Sequence, residues 1–275
     1  MKLVVIGGGS SYTPELIEGV ILHKDSLPIT EVVLIDVEMG LDKVRINTEF
    51  ARRMVKKAGL PIQVSYTLDR KEGLKDAAFV ITQLRVGGLD ARAKDERIPL
   101  TYGVIGQETT GPGGCFKAFR TIPVLLDICK DMEQVCPDAW LINFTNPAGI
   151  VTEAVLKYTK VKCIGLCNVS INMKHDAAQR LYVDAEKLDC RFIGLNHLSV
   201  MDHAFYQGAD RIEDVLAVSK QGEVFAIPQI PEWEHFGLQA YLEKVCSRKV
   251  MVMNDINAVA MGYMAGERMN GPYTG

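Results

Sequence analysis

The sequence predicts an α/β fold built on a doubly wound parallel sheet, followed by a smaller α+β domain. Short runs of β-type residues alternate with segments of helical pattern through most of the first 190 residues. A glycine-rich turn joins the first apolar run to the first helical segment. Strands separated by helices are typical of parallel sheets with right-handed crossovers.

The predicted elements follow one another in regular alternation along this part of the chain. Strands are predicted at residues 3–6, 32–35, 62–65, 79–82, 140–143 and 163–166. Helices are predicted at residues 14–23, 41–57, 116–135 and 148–158. Thr13 precedes Pro14 and is predicted to be the N-cap of the first helix.

The pattern changes in the last third of the chain. Residues 188–208 suggest antiparallel strands, with Gln207 and Gly208 as a hairpin turn. After Gln221 the signal for regular structure is weak. We therefore predict two domains, residues 1–190 and residues 191–275.

Composition and charge exclude several classes of function. Lys and Arg total 31 against 34 Asp and Glu, so the 275-residue chain lacks the positive field that nucleic-acid binding requires. No apolar run reaches the roughly 20 residues that span a bilayer, and the first apolar stretch is too short for a signal peptide. Seven cysteines without regular spacing favour free thiols in a reducing cytoplasm.

A glycine-rich loop, residues 7–10, directly follows the first predicted strand. Glycines there let the backbone turn tightly and approach a pyrophosphate at a helix N-terminus. Asp36 ends the second predicted strand, where a carboxylate can accept hydrogen bonds from ribose hydroxyls and favours NAD over its phosphorylated form. Tyr12 replaces the third glycine of the usual fingerprint. The loop can also be only a tight strand-to-helix turn, but its context predicts a dinucleotide site.

Two further predicted strands, at residues 79–82 and 140–143, are followed by segments that carry polar residues. Arg85 begins a run that contains charged residues 92–97, and a glycine-dense loop follows at residues 103–114. A solvated charge run and a flexible loop are the alternatives, although loops at the carboxyl ends of parallel strands are often functional. Asn146 follows the strand at 140–143 and can be a functional residue or only a helix cap.

Cys167 and His197 each follow a predicted strand. A thiolate and an imidazole are suitable ligands for a divalent metal ion. Their separation of thirty residues is weak evidence by itself, and spacing alone favours a structural thiol and a core histidine.

Five segments together resemble glycoside hydrolase family 4, and within it the 6-phospho-β-glucosidases. These segments are GGGSSYTPEL, RVGGLDARAKDERIPLTYGVIGQETTGPGG, INFTNPAGIVTEAV, GLCNV and GLNHLS. The resemblance extends from residue 1 to about residue 210. It implies a Rossmann-type fold like that of the lactate and malate dehydrogenases, with residues 1–190 binding NAD and residues 191–275 forming a shortened substrate and metal domain.

The resemblance implies hydrolysis of 6-phospho-β-glucosides by a redox-assisted elimination, a known exception to the two-carboxylate glycosidases. NAD takes hydride from C3 of the sugar, a base removes the C2 proton, and the leaving group departs. A Mn²⁺-like ion stabilises the enolate, water then adds, and the hydride returns from the reduced cofactor to C3. The expected ligand is a phosphorylated disaccharide or β-glucoside, and the expected assembly is a homo-oligomer.

The resemblance also assigns roles to individual residues. The metal ligands are Cys167 and His197, and Asn168 is a catalytic residue typical of the β-linked branch. The phosphosugar site is lined by Arg85, Arg92 and Asn146, because an Arg fork suits a phosphate. The cofactor is held by Gly7, Gly9, Ser10, Ser11 and Asp36, with Glu108 near the nicotinamide or the sugar.

The sequence departs from the family pattern at two places. Ser170 replaces the proline that usually follows the Cys-Asn-Val motif, and the C-terminal helical region that carries the tyrosine base is not recognisable. Tyr241 is the candidate base, although a single tyrosine in this stretch can also be a packing residue. An NAD-binding protein without catalysis and a 2-hydroxy acid dehydrogenase are the alternative functions.

Overall fold

The computed structural model describes residues 1–218, and its first sheet has six parallel strands. Their order across the sheet is β3-β2-β1-β4-β5-β6. The strands are β1 (Lys2–Ile6), β2 (Glu31–Ile35), β3 (Gln63–Thr67), β4 (Phe79–Thr82), β5 (Trp140–Asn143) and β6 (Lys162–Gly165). Every pairing in this sheet is parallel, as the alternation of strands and helices predicted.

Helices connect these strands, and a second sheet of three antiparallel strands follows. The helices are α1 (Thr13–Leu22), α2 (Leu41–Lys57), α3 (Arg70–Leu74), α4 (Gly88–Leu100), α5 (Gly111–Val135), α6 (Ala148–Tyr158), α7 (Val169–Leu181) and α8 (Ile212–Val218). The second sheet contains β7 (Leu188–Leu195), β8 (Leu198–Tyr206) and β9 (Ala209–Asp210).

The chain divides into two compact units. The first unit contains Met1–Lys94 and Cys115–Leu166, and therefore holds the whole parallel sheet. The second unit contains Asp95–Gly114 together with the described residues from Cys167 onward. The assignment of residues 1–190 to cofactor binding and of residues 191–275 to substrate and metal binding stays a prediction.

The core of the first unit consists of one apolar cluster on each face of the parallel sheet. Because side chains alternate along a strand, Val4 lies in one cluster and Val5 in the other. Helix α5 contributes to the first cluster, and α1 and α2 contribute to the second. Burial on both faces explains why these strands are nearly continuous apolar runs in the sequence.

The second unit has a smaller core between its antiparallel sheet and helices α7 and α8. Met201 of β8 and Ala177 of α7 are fully or almost fully buried there. Gln207 and Gly208 connect β8 to β9, and both have positive φ, which confirms the predicted hairpin turn.

Two local predictions are wrong. Thr13 is the first residue of α1 and not its N-cap, because its hydroxyl donates a hydrogen bond to the Gly8 carbonyl at 2.9 Å. The glycine-dense segment is only partly a loop, since α5 begins at Gly111, five residues before the predicted start at residue 116.

The charged run at residues 92–97 lies in α4, where Asp95 is buried, so that run is not uniformly solvated.

We expect Leu141→Ala to lower the free energy of unfolding by about 3 kcal/mol, because Leu141 is 0% exposed in the centre of β5. Leu156→Ala is the matched control, since Leu156 is 57% exposed on α6 and its truncation should cost less than about 0.5 kcal/mol. Urea unfolding followed by circular dichroism measures both. Equal losses for the two variants would contradict the placement of the core.

Candidate functional site

The glycine loop, residues 7–10, continues the pairing of β1 with β2. The backbone N–H groups of Gly7 and Gly8 both donate to the Ile35 carbonyl at 2.9 Å. Gly7 has a φ of +89°, and a Cβ there would lie 2.8 Å from the carbonyl oxygen of Gln83. The loop can therefore take this path only with glycine at position 7.

Asp36 lies against the same loop at the end of β2. Its carboxylate accepts a hydrogen bond from Gly9 N at 2.7 Å and another from Val37 N at 2.8 Å. A Cβ on Gly9 would lie 2.8 Å from the Asp36 Oδ2 atom. The structure thus brings the predicted acidic residue and the predicted glycine loop together.

The turn that leads from the loop into α1 contains the two predicted serines. Ser10 Oγ accepts a hydrogen bond from Tyr12 N at 3.2 Å, and Ser11 is exposed beside it. Tyr12, which replaces the third glycine of the fingerprint, packs edge to face on Phe144 with ring centroids 5.6 Å apart. The tyrosine is accommodated because it points outward, where 47% of its surface stays exposed.

A buried polar network supports the loop that follows β5. Asn143, which is 0% exposed, accepts hydrogen bonds from Thr82 Oγ1 at 2.9 Å and from Thr145 N at 3.1 Å. Its Nδ2 donates to the Thr145 carbonyl and to Thr152 Oγ1, both at 3.2 Å. All hydrogen-bonding groups of this buried amide are therefore satisfied within the first unit.

Asn146, three residues further on, begins the turn into α6. Its Oδ1 accepts a hydrogen bond from the backbone N of Ala148, the first residue of α6, at 3.3 Å, whereas the N-cap position itself is occupied by Pro147. The peptide bond between Asn146 and Pro147 is cis. The role of Asn146 at the phosphosugar site stays a prediction.

Arg85 and Arg92 lie in the segment after β4, in the first unit. Arg85 is exposed in the turn that precedes α4, and its carbonyl accepts a hydrogen bond from Gly88 N at 3.2 Å. Arg92 is half-buried on α4. A phosphate-binding role for these two guanidinium groups stays a prediction.

The second unit brings Cys167 and His197 together. Cys167 Sγ and His197 Nε2 are 3.2 Å apart, although thirty residues separate them in the chain. His197 lies in the tight turn between β7 and β8, where its φ of +57° is in the left-handed region. Both side chains are half-buried, so the pair is neither a core thiol nor a core histidine.

The environment of Cys167 differs from that of the buried cysteines. Burial raises the pKa of the Cys167 thiol, but hydrogen bonds with His197 and from the Val169 backbone N–H outweigh it, and the pKa is lowered. By contrast, burial raises the pKa of Cys129 to about 12 and that of Cys163 to about 11. The thiolate, which is the nucleophilic and metal-binding form, is therefore favoured at Cys167.

The donor atoms of this pair suit a divalent transition metal, since thiolate sulfur and imidazole nitrogen are common ligands of such ions. The side chain of Asn196 also hydrogen-bonds Cys167. Its Oδ1 atom is buried and has no hydrogen-bond partner in the described part of the chain. Within residues 1–218, no group of three or more His, Cys, Asp or Glu side chains is arranged to hold a metal.

The remaining predicted site residues are Asn168, Glu108 and Tyr241. Asn168 directly follows Cys167 and is exposed at the start of α7, without a side-chain cap hydrogen bond. Glu108 is half-buried in the segment between α4 and α5, in the second unit. Tyr241 lies outside the described residues. The roles of all three stay predictions.

Sequence reasoning missed four amide side chains that the structure places at these groups. They are Asn47, Gln83, Asn143 and Asn196. Asn143 was the one with a signal, because a polar residue at the end of an apolar strand is typical of a buried polar network. Asn47 lies in the middle of α2, and a helical pattern does not predict what an asparagine there will bind.

The fold places the chain in the structural class of the lactate and malate dehydrogenases. A malate dehydrogenase from Plasmodium falciparum is similar over 96% of this chain and 76% of its own, with a TM-score of 0.56 and 16% identity. At that identity the similarity concerns the fold alone.

The chain belongs to the family described as family 4 glycosyl hydrolase, whose model matches residues 2–183. A protein of Bacillus subtilis named as a probable 6-phospho-beta-glucosidase is 53% identical over 87% of this chain and 55% of its own length. A 6-phospho-beta-glucosidase of Escherichia coli is 50% identical over 82% of this chain and 51% of its own length. The chain thus spans about half the length of these relatives.

A solved structure within the family is also similar. The 6-phospho-beta glucosidase from Thermotoga maritima, determined with manganese, NAD⁺ and glucose-6-phosphate, has a TM-score of 0.78 and 34% identity. The similarity covers 96% of this chain and 61% of that protein. As for membranes, none of the helices described between residues 1 and 218 has the length and apolar character needed to cross one.

We expect an alkylating reagent to modify Cys167 faster than Cys129, because the pKa of the thiol is lowered at Cys167 and raised at Cys129. Added Mn²⁺ should lower the rate of Cys167 modification about tenfold when the Mn²⁺ concentration is roughly ten times the Kd for Mn²⁺. Peptide mapping by mass spectrometry measures both rates. Cys115, which is exposed, is the internal control and should react equally with and without metal. Equal protection of Cys167 and Cys115 by Mn²⁺, or no protection of Cys167, would contradict the proposal that Cys167 and His197 form a metal site.

Proposed function

We propose that this chain contributes the cofactor and metal sites of an NAD- and metal-dependent 6-phospho-β-glucosidase. The observation that carries the proposal is the Cys167–His197 pair, whose Sγ and Nε2 atoms are 3.2 Å apart. A tight strand-to-helix turn does not require this pair, and neither does a 2-hydroxy acid dehydrogenase of the same fold. The names of the relatives that are 53% and 50% identical support the substrate class.

The first unit would hold the cofactor. The loop at Gly7 and Gly9 has no side chain that could block a pyrophosphate, and Ser10 and Ser11 continue it toward α1. The Asp36 carboxylate lies beside this loop, where it would accept hydrogen bonds from ribose hydroxyls and repel a 2′-phosphate.

The second unit would hold the metal. NAD supplies a hydride acceptor and a divalent ion supplies a Lewis acid, which together permit the redox-assisted elimination that the family resemblance implies. Cys167 and His197 would be the side-chain ligands, and Asn196 would orient the sulfur through its hydrogen bond. With two side-chain ligands, coordination positions are left for sugar oxygens and water.

The substrate would be held by its phosphate and by its sugar ring. In this proposal Arg85, Arg92 and Asn146 bind the phosphosugar, because a guanidinium matches a phosphate with paired hydrogen bonds. Glu108 would act on the nicotinamide or the sugar, and Tyr241 would be the base that removes the C2 proton.

The β-linked substrate is supported by Asn168 and by the comparisons. Asn168 follows Cys167 where the α-linked branch usually has an aspartate that protonates the leaving group. A 6-phospho-alpha-glucosidase of Lacticaseibacillus paracasei is 35% identical, compared with 53% for the beta relative of Bacillus subtilis.

The proposal includes a reducing, cytoplasmic setting and a homo-oligomer, either a dimer or a tetramer. Six cysteines of the described residues are free thiols, which favours such a compartment. Trp140 and Ile164 lie on the same face of the neighbouring strands β5 and β6, and they are 40% and 47% exposed. Contiguous exposed apolar surface is typical of contact surfaces, and these two side chains would contribute to one.

We expect the full chain to hydrolyse 4-nitrophenyl 6-phospho-β-glucoside only when NAD, Mn²⁺ and a reductant are all present. In D₂O, the released glucose 6-phosphate should carry deuterium at C2, because the base exchanges the proton it removes there. Mass spectrometry of the product measures this. A two-carboxylate glycosidase would leave the C2 hydrogen in place.

Cys167→Ser and His197→Ala should each lower turnover by more than about 100-fold, because each removes a metal ligand. Cys115→Ser and His23→Ala carry the same substitutions at exposed positions and should leave turnover unchanged. Turnover without NAD would contradict the proposal. NADH that accumulates with product would indicate a dehydrogenase, and NAD binding without turnover would leave cofactor binding as the activity.

We expect Asp36→Ser to weaken NAD binding by about tenfold, because one carboxylate acceptor for the ribose is lost. The same variant should bind NADP more tightly than the wild type does, since the repulsion of the 2′-phosphate is removed. Calorimetry of both cofactors measures the two effects. Asp42→Ser, at an exposed position in the first turn of α2, is the control and should change neither Kd.

A further inference from the structure

Most carbonyl groups of the glycine loop, residues 7–10, accept two hydrogen bonds each. The Gly7 carbonyl accepts from Ser10 N at 3.0 Å and from the Gln83 side-chain amide at 3.3 Å. The Gly8 and Ser10 carbonyls also accept two hydrogen bonds each. A carbonyl oxygen has two lone pairs, so three of the four carbonyls in the loop have no further acceptor capacity.

One side chain from another element supplies two of these bonds. Asn47 Nδ2, in the middle of α2, donates to the Gly8 carbonyl at 2.8 Å and to the Ser10 carbonyl at 2.8 Å. The second donors are the Thr13 hydroxyl, at 2.9 Å from Gly8 O, and Thr13 N, at 3.1 Å from Ser10 O. Both hydrogens of the Asn47 amide are therefore directed at the loop.

Gln83 acts on the loop from the end of β4. Its side-chain amide donates to Thr13 Oγ1 at 2.8 Å as well as to the Gly7 carbonyl. The Thr13 hydroxyl, which accepts from Gln83, then has its own hydrogen available for Gly8. Side chains from two different elements thus fix the directions of consecutive peptide groups.

The direction of these peptide groups determines which charge the loop presents to a ligand. A carbonyl oxygen is the negative end of the peptide dipole, and a pyrophosphate is an anion that requires N–H or O–H donors. A loop whose carbonyls turned toward the ligand would repel it. Donors that hold those oxygens toward the protein remove this repulsion before the ligand arrives.

Packing alone does not require an asparagine at position 47. The buried stripe of α2 consists of Val44, Thr48, Ala51 and Val55, and Asn47 is only half-buried beside it. Its amide makes no contribution to the hydrogen bonds of its own helix, since both hydrogens go to the loop. Its chemistry is therefore directed at residues 8 and 10.

We propose that Asn47 is a positioning residue of the cofactor site, which holds the Gly8 and Ser10 carbonyls away from the pyrophosphate, with Gln83 doing the same for Gly7. This inference rests on the proposed binding of NAD. It adds a residue of α2 that would act through the loop, by way of its two hydrogen bonds to the Gly8 and Ser10 carbonyls.

The experiment compares a ligand with a pyrophosphate and one without. The full chain and its variants Asn47→Asp, Asn47→Ala and Gln83→Met are titrated with NAD by calorimetry and with adenosine by ligand-observed NMR. Asn47→Asp should raise the Kd for NAD by more than about tenfold, since an acceptor and a negative charge replace two donors. The Kd for adenosine should stay within about twofold, because adenosine lacks the phosphates that the loop would contact.

The two other variants separate loss of the donors from added charge. Asn47→Ala and Gln83→Met remove donors without charge, and each should raise the Kd for NAD by about fivefold to tenfold. They also provide the test if the aspartate variant does not fold, as judged by circular dichroism. Gln63→Glu, at an exposed position of β3, adds the same charge to the first unit and should change neither Kd.

Each remaining outcome counts against a stated claim. Equal weakening of NAD and adenosine would show a general structural role and overturn the inference. NAD binding that stays within twofold of the wild type in all three variants would overturn it as well. A wild-type chain that binds no NAD would overturn the proposed function itself, and the inference with it.

Discussion

The parallel pairing of β1 with β2 and β4 is the constraint on which the cofactor loop depends. Ile6 pairs with Ile35 on one side and with Thr82 on the other, so the three strands end at the same level. The residues that follow them are Gly7, Asp36 and Gln83, which consequently lie side by side. The site is thus a consequence of strand register, and a shift in register would separate its parts.

The Cys167–His197 pair depends on a different local constraint, the tight turn between β7 and β8. Leu195 pairs with Leu198 at the end of this antiparallel ladder, which leaves Asn196 and His197 to form the turn. The positive φ of His197 is part of this geometry. Asn196 and His197, which follow β7, therefore meet the sulfur atom of Cys167, which precedes β7 in the sequence.

The pattern of apolar residues predicted the parallel sheet well, and the boundaries of α2, β4, β5 and α6 are those that the sequence indicated. The N-cap of α1 was wrong because Thr13 uses its hydroxyl to bind Gly8. The start of α5 was placed too late because glycines at 111, 113 and 114 favour loops locally.

By itself, the sequence determined the fold class, the glycine loop with Asp36 and the family to which the chain belongs, because periodicity and long motifs are local properties of the chain. Tertiary structure alone decided that the Cys167 thiol meets His197 and that Asn47 and Gln83 bind the glycine loop. These contacts join residues 30 or more positions apart. Strand register and helix packing determine which distant side chains meet, and neither can be predicted from the spacing of the residues along the chain.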